Sequence, residues 1–185
     1  MYIYIFDNDF AHYELNYKER QKLGQVWTPY SVIEKMMDMH GLVSDKNSVW
    51  YDETQTDLDP TMGAGNIVIA TLYRRIVECG QNPIIALSNV YGLELDKKTL
   101  EYAQSRIVKF MMKVQDNLHY SFTDEEWKNV NKIIMHNFVC CDFFKWNFKE
   151  WRKYTPDELN LIEQKNKREQ EEQNAKIDSD QSFFV

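Results

Sequence analysis

Hydrophobic and polar positions divide the chain into segments of recognisable period. Tyr2, Ile3, Tyr4, Ile5 and Phe6 open it, and a polar, aromatic stretch follows to residue 23, which reads as a short edge strand or a docking arm. Val32, Met36 and His40 then recur at every fourth position, as do Ile33 and Met37. That spacing predicts an amphipathic helix with Thr28 as its cap, Pro29 in its first turn and Gly41 at its end. A second helix is predicted by Ile69, Leu72, Tyr73 and Ile76 behind a glycine-rich turn, with Gly80 as its stop. Asn89 to Leu95 is strand-like and ends among acids, Glu94 and Asp96. Leu100, Ala103, Ile107, Met111 and Val114 draw one apolar stripe along a long helix. Thr123 and Glu126 form a capping box that opens a short helix through Trp127. Ile133 to Met135 and Phe138 to Cys141 read as strand-like runs, the second closing on Asp142, Phe143 and Phe144. Helices alternating with strands predict an α/β fold, a parallel sheet flanked by helices.

Composition narrows this picture. With 185 residues and 43% apolar side chains the chain can build a core, and it divides by pattern into residues 1–45 (arm and first helix), 46–148 (core) and 149–185. The last part, dense in Glu, Lys, Gln and Asn over 157–178, reads as a solvated helix or a disordered linker. No apolar run approaches the roughly 18 residues of a membrane span, and the N-terminus lacks the basic opening of a signal peptide. Cys79, Cys140 and Cys141 show no metal-ligand spacing, and His12, His40, His119 and His136 share none either. The expectation is a cytoplasmic protein with no metal and no membrane partner. A net charge of −7 argues against a stand-alone nucleic-acid binder, which would carry a basic face. The methionine pairs 36–37 and 111–112 are expected to fill the core.

The glycine-rich turn carries the candidate chemistry. Gly63 and Gly65 allow backbone to approach a ligand, and the helix behind them offers free N–H groups. Glu94, at the end of the following strand, can accept both hydroxyls of a ribose, and Asp142 ends the next strand at the same edge of the sheet. In open α/β sheets, ligands sit outside those carboxyl ends. A dinucleotide fingerprint would need a third glycine where Val68 stands and an acid nearer than Glu94, which counts against a nicotinamide oxidoreductase. A phosphate-binding loop is excluded because no Gly-Lys-Ser/Thr ending follows the turn.

With these residues in place, the chain resembles the S-adenosylmethionine (SAM) dependent, adenine-specific DNA methyltransferases over residues 24–145. Gly24-Gln-Val-Trp-Thr28-Pro29 and its helix resemble the element that closes over the methionine end of SAM. Asp59-Pro60-Thr61-Met-Gly63-Ala-Gly65-Asn66 resembles the family's loop under the cofactor. Gly92-Leu-Glu94-Leu95-Asp96 resembles its ribose-binding strand end, which would place Glu94 on the hydroxyls and Leu95 against the adenine. Cys141-Asp142-Phe143 resembles the element whose Asp holds the adenine amino group while the aromatic ring packs on the base. The resemblance implies a Rossmann-like methyltransferase fold, SAM as cofactor, and methyl transfer to the exocyclic amino group of adenine in DNA, in a restriction-modification or phage setting.

The family's catalytic element, Asn/Asp-Pro-Pro-Tyr/Phe, does not occur. The one Asn-Pro, Asn82-Pro83, precedes the second strand, so no catalytic residue is assigned. Asp178 to Val185 reads as the opening of a fourth strand, so the expectation is a SAM-binding half truncated before that strand. DNA would then be met through a separate recognition domain, and the catalytic motif would come from a second chain or a downstream segment. Poor solubility of the isolated chain is expected, because the first strand would be an unpaired edge. The other class of function is a partner-docking module, catalytically incomplete, that binds SAM or nothing. The same fold acting on RNA or a protein side chain is a third. One feature conflicts with a central strand: Asp52 to Leu58 is polar, and Asp57 would need to reach solvent, find a cation or strain the fold.

Overall fold

The structure, a computed structural model, describes residue 28 and residues 30–181. The arm read over residues 1–23, Pro29 and residues 182–185 lie outside the described residues. Two compact units divide the chain, one up to Phe143 and one from Phe144.

The first unit is α/β. Helix α1 (Tyr30–His40) is followed by strand β1 (Asp57–Asp59), helix α2 (Asn66–Tyr73), helix α3 (Pro83–Ser88), strand β2 (Val90–Glu94), helix α4 (Lys97–Leu118), helix α5 (Asp124–Asn137) and strand β3 (Phe138–Cys140). The sheet runs in the order β1-β2-β3 and both pairings are parallel. Asp59 stands opposite Gly92, and Glu94 opposite Cys140, so the three strands bring their carboxyl ends to one edge.

Each helix follows from its own signals. In α2 nearly every residue is buried, Val68, Ile69, Ala70 and Leu72 among them, as expected of a helix that is apolar all round. Its one side joins the main core with Leu100, Ile107, Met111, Ile134 and Phe138. Its other side, through Ala70, packs with Ile33, Met37 and Trp50. The stripe predicted for α4 is the buried one, and Asp96 caps that helix by accepting from Thr99 N–H at 2.8 Å. Thr123 and Glu126 form the reciprocal capping box of α5.

Several sequence expectations change. Of the two α1 repeats, only Ile33 and Met37 are buried; Val32 and Met36 face outward. The methionine pairs split the same way, with Met37 and Met111 in the core and Met36 and Met112 exposed, because neighbours on a helix lie about 100° apart. Ile133 to Met135 is not a strand but the last turns of α5, whose cap and 3.6-residue period outweigh the β-propensity of three apolar residues. Helix α3 is an element the periodicity did not predict. Asn82 caps it by accepting from Ile84 N–H and Ile85 N–H, with Pro83 at its first position.

The polar stretch 52–58 is mostly loop, and β1 is only three residues long. Asp57 has found its cation. Arg75, with no exposed surface, donates from Nε and Nη2 to Asp57 Oδ2 at 2.9 and 2.6 Å. The same guanidinium also reaches Asp52 O (3.2 Å), Gln55 O (2.9 Å) and Gln81 Oε1 (3.4 Å). It arrives there on a π-helical turn, Arg74–Glu78, which widens the end of α2 and buries two successive arginines. Arg74 pairs with Asp38 of α1 at 2.7 Å. Half-burying Asp57 is thus tolerated because its charge is paired and hydrogen-bonded.

The second unit holds an antiparallel pair, β4 (Trp146–Asn147) and β5 (Arg152–Lys153), and the long helix α6 (Pro156–Gln181). Trp146 and Trp151 meet edge to face at 5.3 Å. Arg152 binds Glu158 through two parallel hydrogen bonds, Nη1 to Oε2 at 2.9 Å and Nη2 to Oε1 at 2.8 Å, and Thr155 N–H donates to the same carboxylate. These contacts hold Glu158 down at about 2, with Arg152 as the largest cause. The charged segment 157–178 is therefore helical, and so are Asp178 to Gln181, where a fourth strand was expected to open.

Candidate functional site

The candidate site lies where the carboxyl ends of β1, β2 and β3 meet the loop that starts α2. Gly63 and Gly65 adopt φ of +52° and +80°, a left-handed backbone that favours glycine. Between them the chain turns onto α2, whose first N–H groups are those of a helix N-terminus. A Cβ added at Gly63 would meet nothing within 4 Å among the described residues. At Gly92, in contrast, an added Cβ would sit 2.5 Å from Met62 Sδ and 3.1 Å from Phe138. The glycine of the β2 end therefore serves packing: it lets Met62 lie on the strand, where Met62 N–H donates to Leu93 O at 2.8 Å.

Glu94 is the hinge of the site. Only 8% of it is exposed, and each carboxylate oxygen accepts one backbone hydrogen bond: Oε2 from Gly63 N–H and Oε1 from Asp96 N–H, both at 2.9 Å. An ionised carboxylate has about four acceptor positions, so two remain after the loop and the α4 cap are tied. Asp59, at the end of β1, accepts among the described residues only from Thr61 N–H at 3.2 Å. Burial, and secondarily the charge of Glu94, push its carboxyl up to about 6. Among the described residues, neither of these two acids has a cation at hydrogen-bond distance.

At the end of β3, Cys141 N–H donates to Glu94 O at 3.0 Å, which fixes the start of the Asp142-Phe143 segment beside β2. Asp142 is half-buried, Phe143 is 39% exposed and Leu95 is 66% exposed, Leu95 just beyond the end of β2 and the other two just beyond the end of β3. The structure thus brings together Asp59, Pro60, Thr61, Gly63, Gly65, Glu94, Leu95, Asp142 and Phe143 at one sheet edge. Thr28 is half-buried just ahead of α1, and α1 packs on α2 through Ile33 and Met37; Pro29 lies outside the described residues.

Two residues that support the site were not read from the sequence. Arg106 of α4 donates from Nη1 to Ala64 O at 2.5 Å and to Asn66 Oδ1 at 2.7 Å, so a buried cation grips the middle of the glycine loop. Its signal was available, since a charged residue at this point falls inside the apolar stripe between Ala103 and Ile107. Asn137 donates from Nδ2 to Val90 O at 3.1 Å and to Ser88 O at 3.1 Å, bridging the starts of β2 and β3. No sequence pattern marks it.

Among the described residues no cluster of His, Cys, Asp and Glu could hold a metal ion, and no helix is long and apolar enough to cross a membrane. Compared with family models, curated proteins and solved structures, the chain matches none of them.

Proposed function

We propose that this chain has the Rossmann-like design of a methyltransferase and is the SAM-binding portion of an adenine-specific DNA methyltransferase. The observation that carries the reading is Glu94, held by the backbone of the glycine loop and of the α4 cap at the carboxyl edge of a parallel sheet. The residues fit the group. Glu94 retains acceptor capacity for two ribose hydroxyls, Leu95 and Phe143 offer apolar faces to an adenine ring, and Asp142 stands beside them for its amino group. Asp59 and the Gly63 backbone offer a carboxylate and main chain to the amino-acid end. When bound, SAM supplies an electrophilic methyl group on sulfur. What this chain contributes is binding and orientation, since none of its residues is assigned to act on the acceptor nitrogen.

The Asn-Pro-Pro-Tyr element and the DNA-reading surface are then supplied by a second chain or a downstream segment, because the 185 residues contain no such motif. A second reading has an observation of its own. Both Glu94 oxygens already hold backbone N–H groups, which is also what a purely structural tie between loop and sheet would show. In that reading the chain is a docking module without methylation activity.

Calorimetric titration with SAM decides between them. Saturable binding is expected, weakened about tenfold or more by Glu94→Ala, at about 1.4 kcal/mol per decade. Leu95→Ala, at a position 66% exposed, should weaken binding with little change in the melting temperature. A folded protein that releases no heat and binds no SAM would rule out the cofactor reading and leave the docking module.

A further inference from the structure

An unbroken run of hydrogen bonds joins α4 to Glu94 through the glycine loop. Arg106 Nη1 donates to Ala64 O at 2.5 Å. The peptide group that carries this C=O also carries Gly65 N–H, which donates to Met62 O at 2.8 Å. The peptide group of Met62 O in turn carries Gly63 N–H, which donates to Glu94 Oε2 at 2.9 Å. A guanidinium thus stands at one end of two peptide groups and a carboxylate at the other, and both charges polarise the peptides in the same direction. Arg106 lies one turn beyond Ala103, against which the loop rests: a Cβ added at Gly65 would lie 3.4 Å from Ala103 Cβ. At its start the same helix meets the other carboxylate oxygen, through Asp96 N–H on Oε1 at 2.9 Å. Packing alone does not account for Arg106. It is 5% exposed, in a stripe that an apolar residue would suit, and it stands by the positive, amino end of α2.

We propose that Arg106 is a positioning residue for Glu94, acting through these two peptide groups. Hydrogen bonds in series polarise one another, most of all where water is excluded and an ion stands at the end. The Arg106 charge therefore strengthens the bond from Gly65 to Met62 and, through it, the bond from Gly63 to Glu94. That bond ties one Glu94 oxygen to the loop, so the carboxylate cannot turn and its remaining acceptor positions keep one direction. The second bond of Nη1, to Asn66 Oδ1 at 2.7 Å, keeps the guanidinium in line with the loop. The consequence for SAM rests on the reading of Glu94 as its ribose ligand; the relay from Arg106 to Glu94 does not.

The test follows hydrogen exchange of single amides in the full chain, with Val130, fully buried in the middle of α5, as the reporter of global unfolding. Arg106→Gln keeps a polar side chain and removes the charge. Relative to Val130, its Gly63 and Gly65 amides should exchange about tenfold faster than in wild type, as the loss of a charge-assisted hydrogen bond implies. Arg106→Lys keeps the charge without the planar grip on two acceptors, so its amides should fall between the two. The lysine variant also decides against wild type if the glutamine variant does not fold. SAM should bind Arg106→Gln about tenfold more weakly in calorimetry, although the residue is buried beneath the loop. Three results would overturn the proposal. One is Gly63 and Gly65 exchange that rises only in step with Val130, which marks Arg106 as an ordinary core residue. Another is a lysine variant that loosens both amides as much as glutamine does. The third is SAM binding to wild type that Arg106→Gln leaves unchanged. A wild-type chain that binds no SAM overturns the cofactor reading instead, and exchange still decides the relay.

Discussion

Two carboxylates on one short strand, Asp57 and Asp59, meet opposite fates. Asp57, at the amino end of β1, is gripped by Arg75 and enclosed in a network that also satisfies three backbone or amide acceptors. Asp59, two residues on and on the same side of the strand, has one long hydrogen bond and an acid for a neighbour. The amino end of the sheet has had its polar groups completed by the fold. The carboxyl end keeps acceptor capacity unspent, which is where an α/β sheet takes its ligands. A buried acid thus reads as structural when its cation is in place, and as a site candidate when it is left raised in pKa beside open space.

The most severe way to break this contrast is to make Asp57 resemble Asp59. Arg75→Met takes the guanidinium from a half-buried carboxylate and should cost about 3 kcal/mol in denaturant unfolding, the low end for a broken buried pair. Replacing both partners, Arg75→Met with Asp57→Leu, should recover much of that loss, since a well-packed apolar pair can substitute for a buried ion pair. If the double variant is no more stable than the single one, the network's other bonds, to Asp52 O, Gln55 O and Gln81, carry the stability instead.

Asp59→Asn sharpens the contrast from the other side. The native carboxyl titrates near 6, above its ordinary 3.8. Between those values the folded state holds a proton the unfolded chain has lost, so stability falls as pH rises through that window, and the penalty is complete at pH 7. Removing the charge should stabilise the protein by up to about 3 kcal/mol at pH 7, with the difference from wild type vanishing below pH 4. The same variant should bind SAM less well in calorimetry, a gain in stability set against a loss at the site. A variant that is destabilised at every pH would show that the Thr61 hydrogen bond, not the charge, dominates there.

The smallest effect belongs to His40. It stands 3.9 Å from Asp57 Oδ1, yet half of its side chain is exposed and Arg75 already holds that acid. His40→Gln should change stability by less than about 0.5 kcal/mol, as exposed pairs do. A loss above 1 kcal/mol, read by chemical denaturation, would mean that the edge-to-face contact of His40 with Trp50 carries more than its charge does.

How much of this was legible beforehand differs by element. The α4 stripe, the α5 capping box, the glycine turn and the strand ending on Glu94 were all written in local pattern, because each depends on residues within a few positions of one another. Helix α3 was missed although its cap, Asn82 before Pro83, is local too; its six residues are too few to show a period. Ile133 to Met135 suits a strand as well as a helix, because three apolar residues fit either structure, and only the length of α5 settles it.

The sequence by itself therefore determined an α/β alternation, a glycine loop on a helix N-terminus, and acids at the strand ends. Those follow from periodicity, φ preference and capping, which act over short stretches of chain. What only the tertiary structure decided are the partnerships across long separations: Arg75 with Asp57 over 18 positions, Gly63 N–H on Glu94 over 31, Arg106 on Ala64 over 42. Which of two identical acids is spent and which is left available depends on where a π-helical turn puts an arginine. No local pattern encodes that distance, because a charge chooses its partner in space after the core has packed.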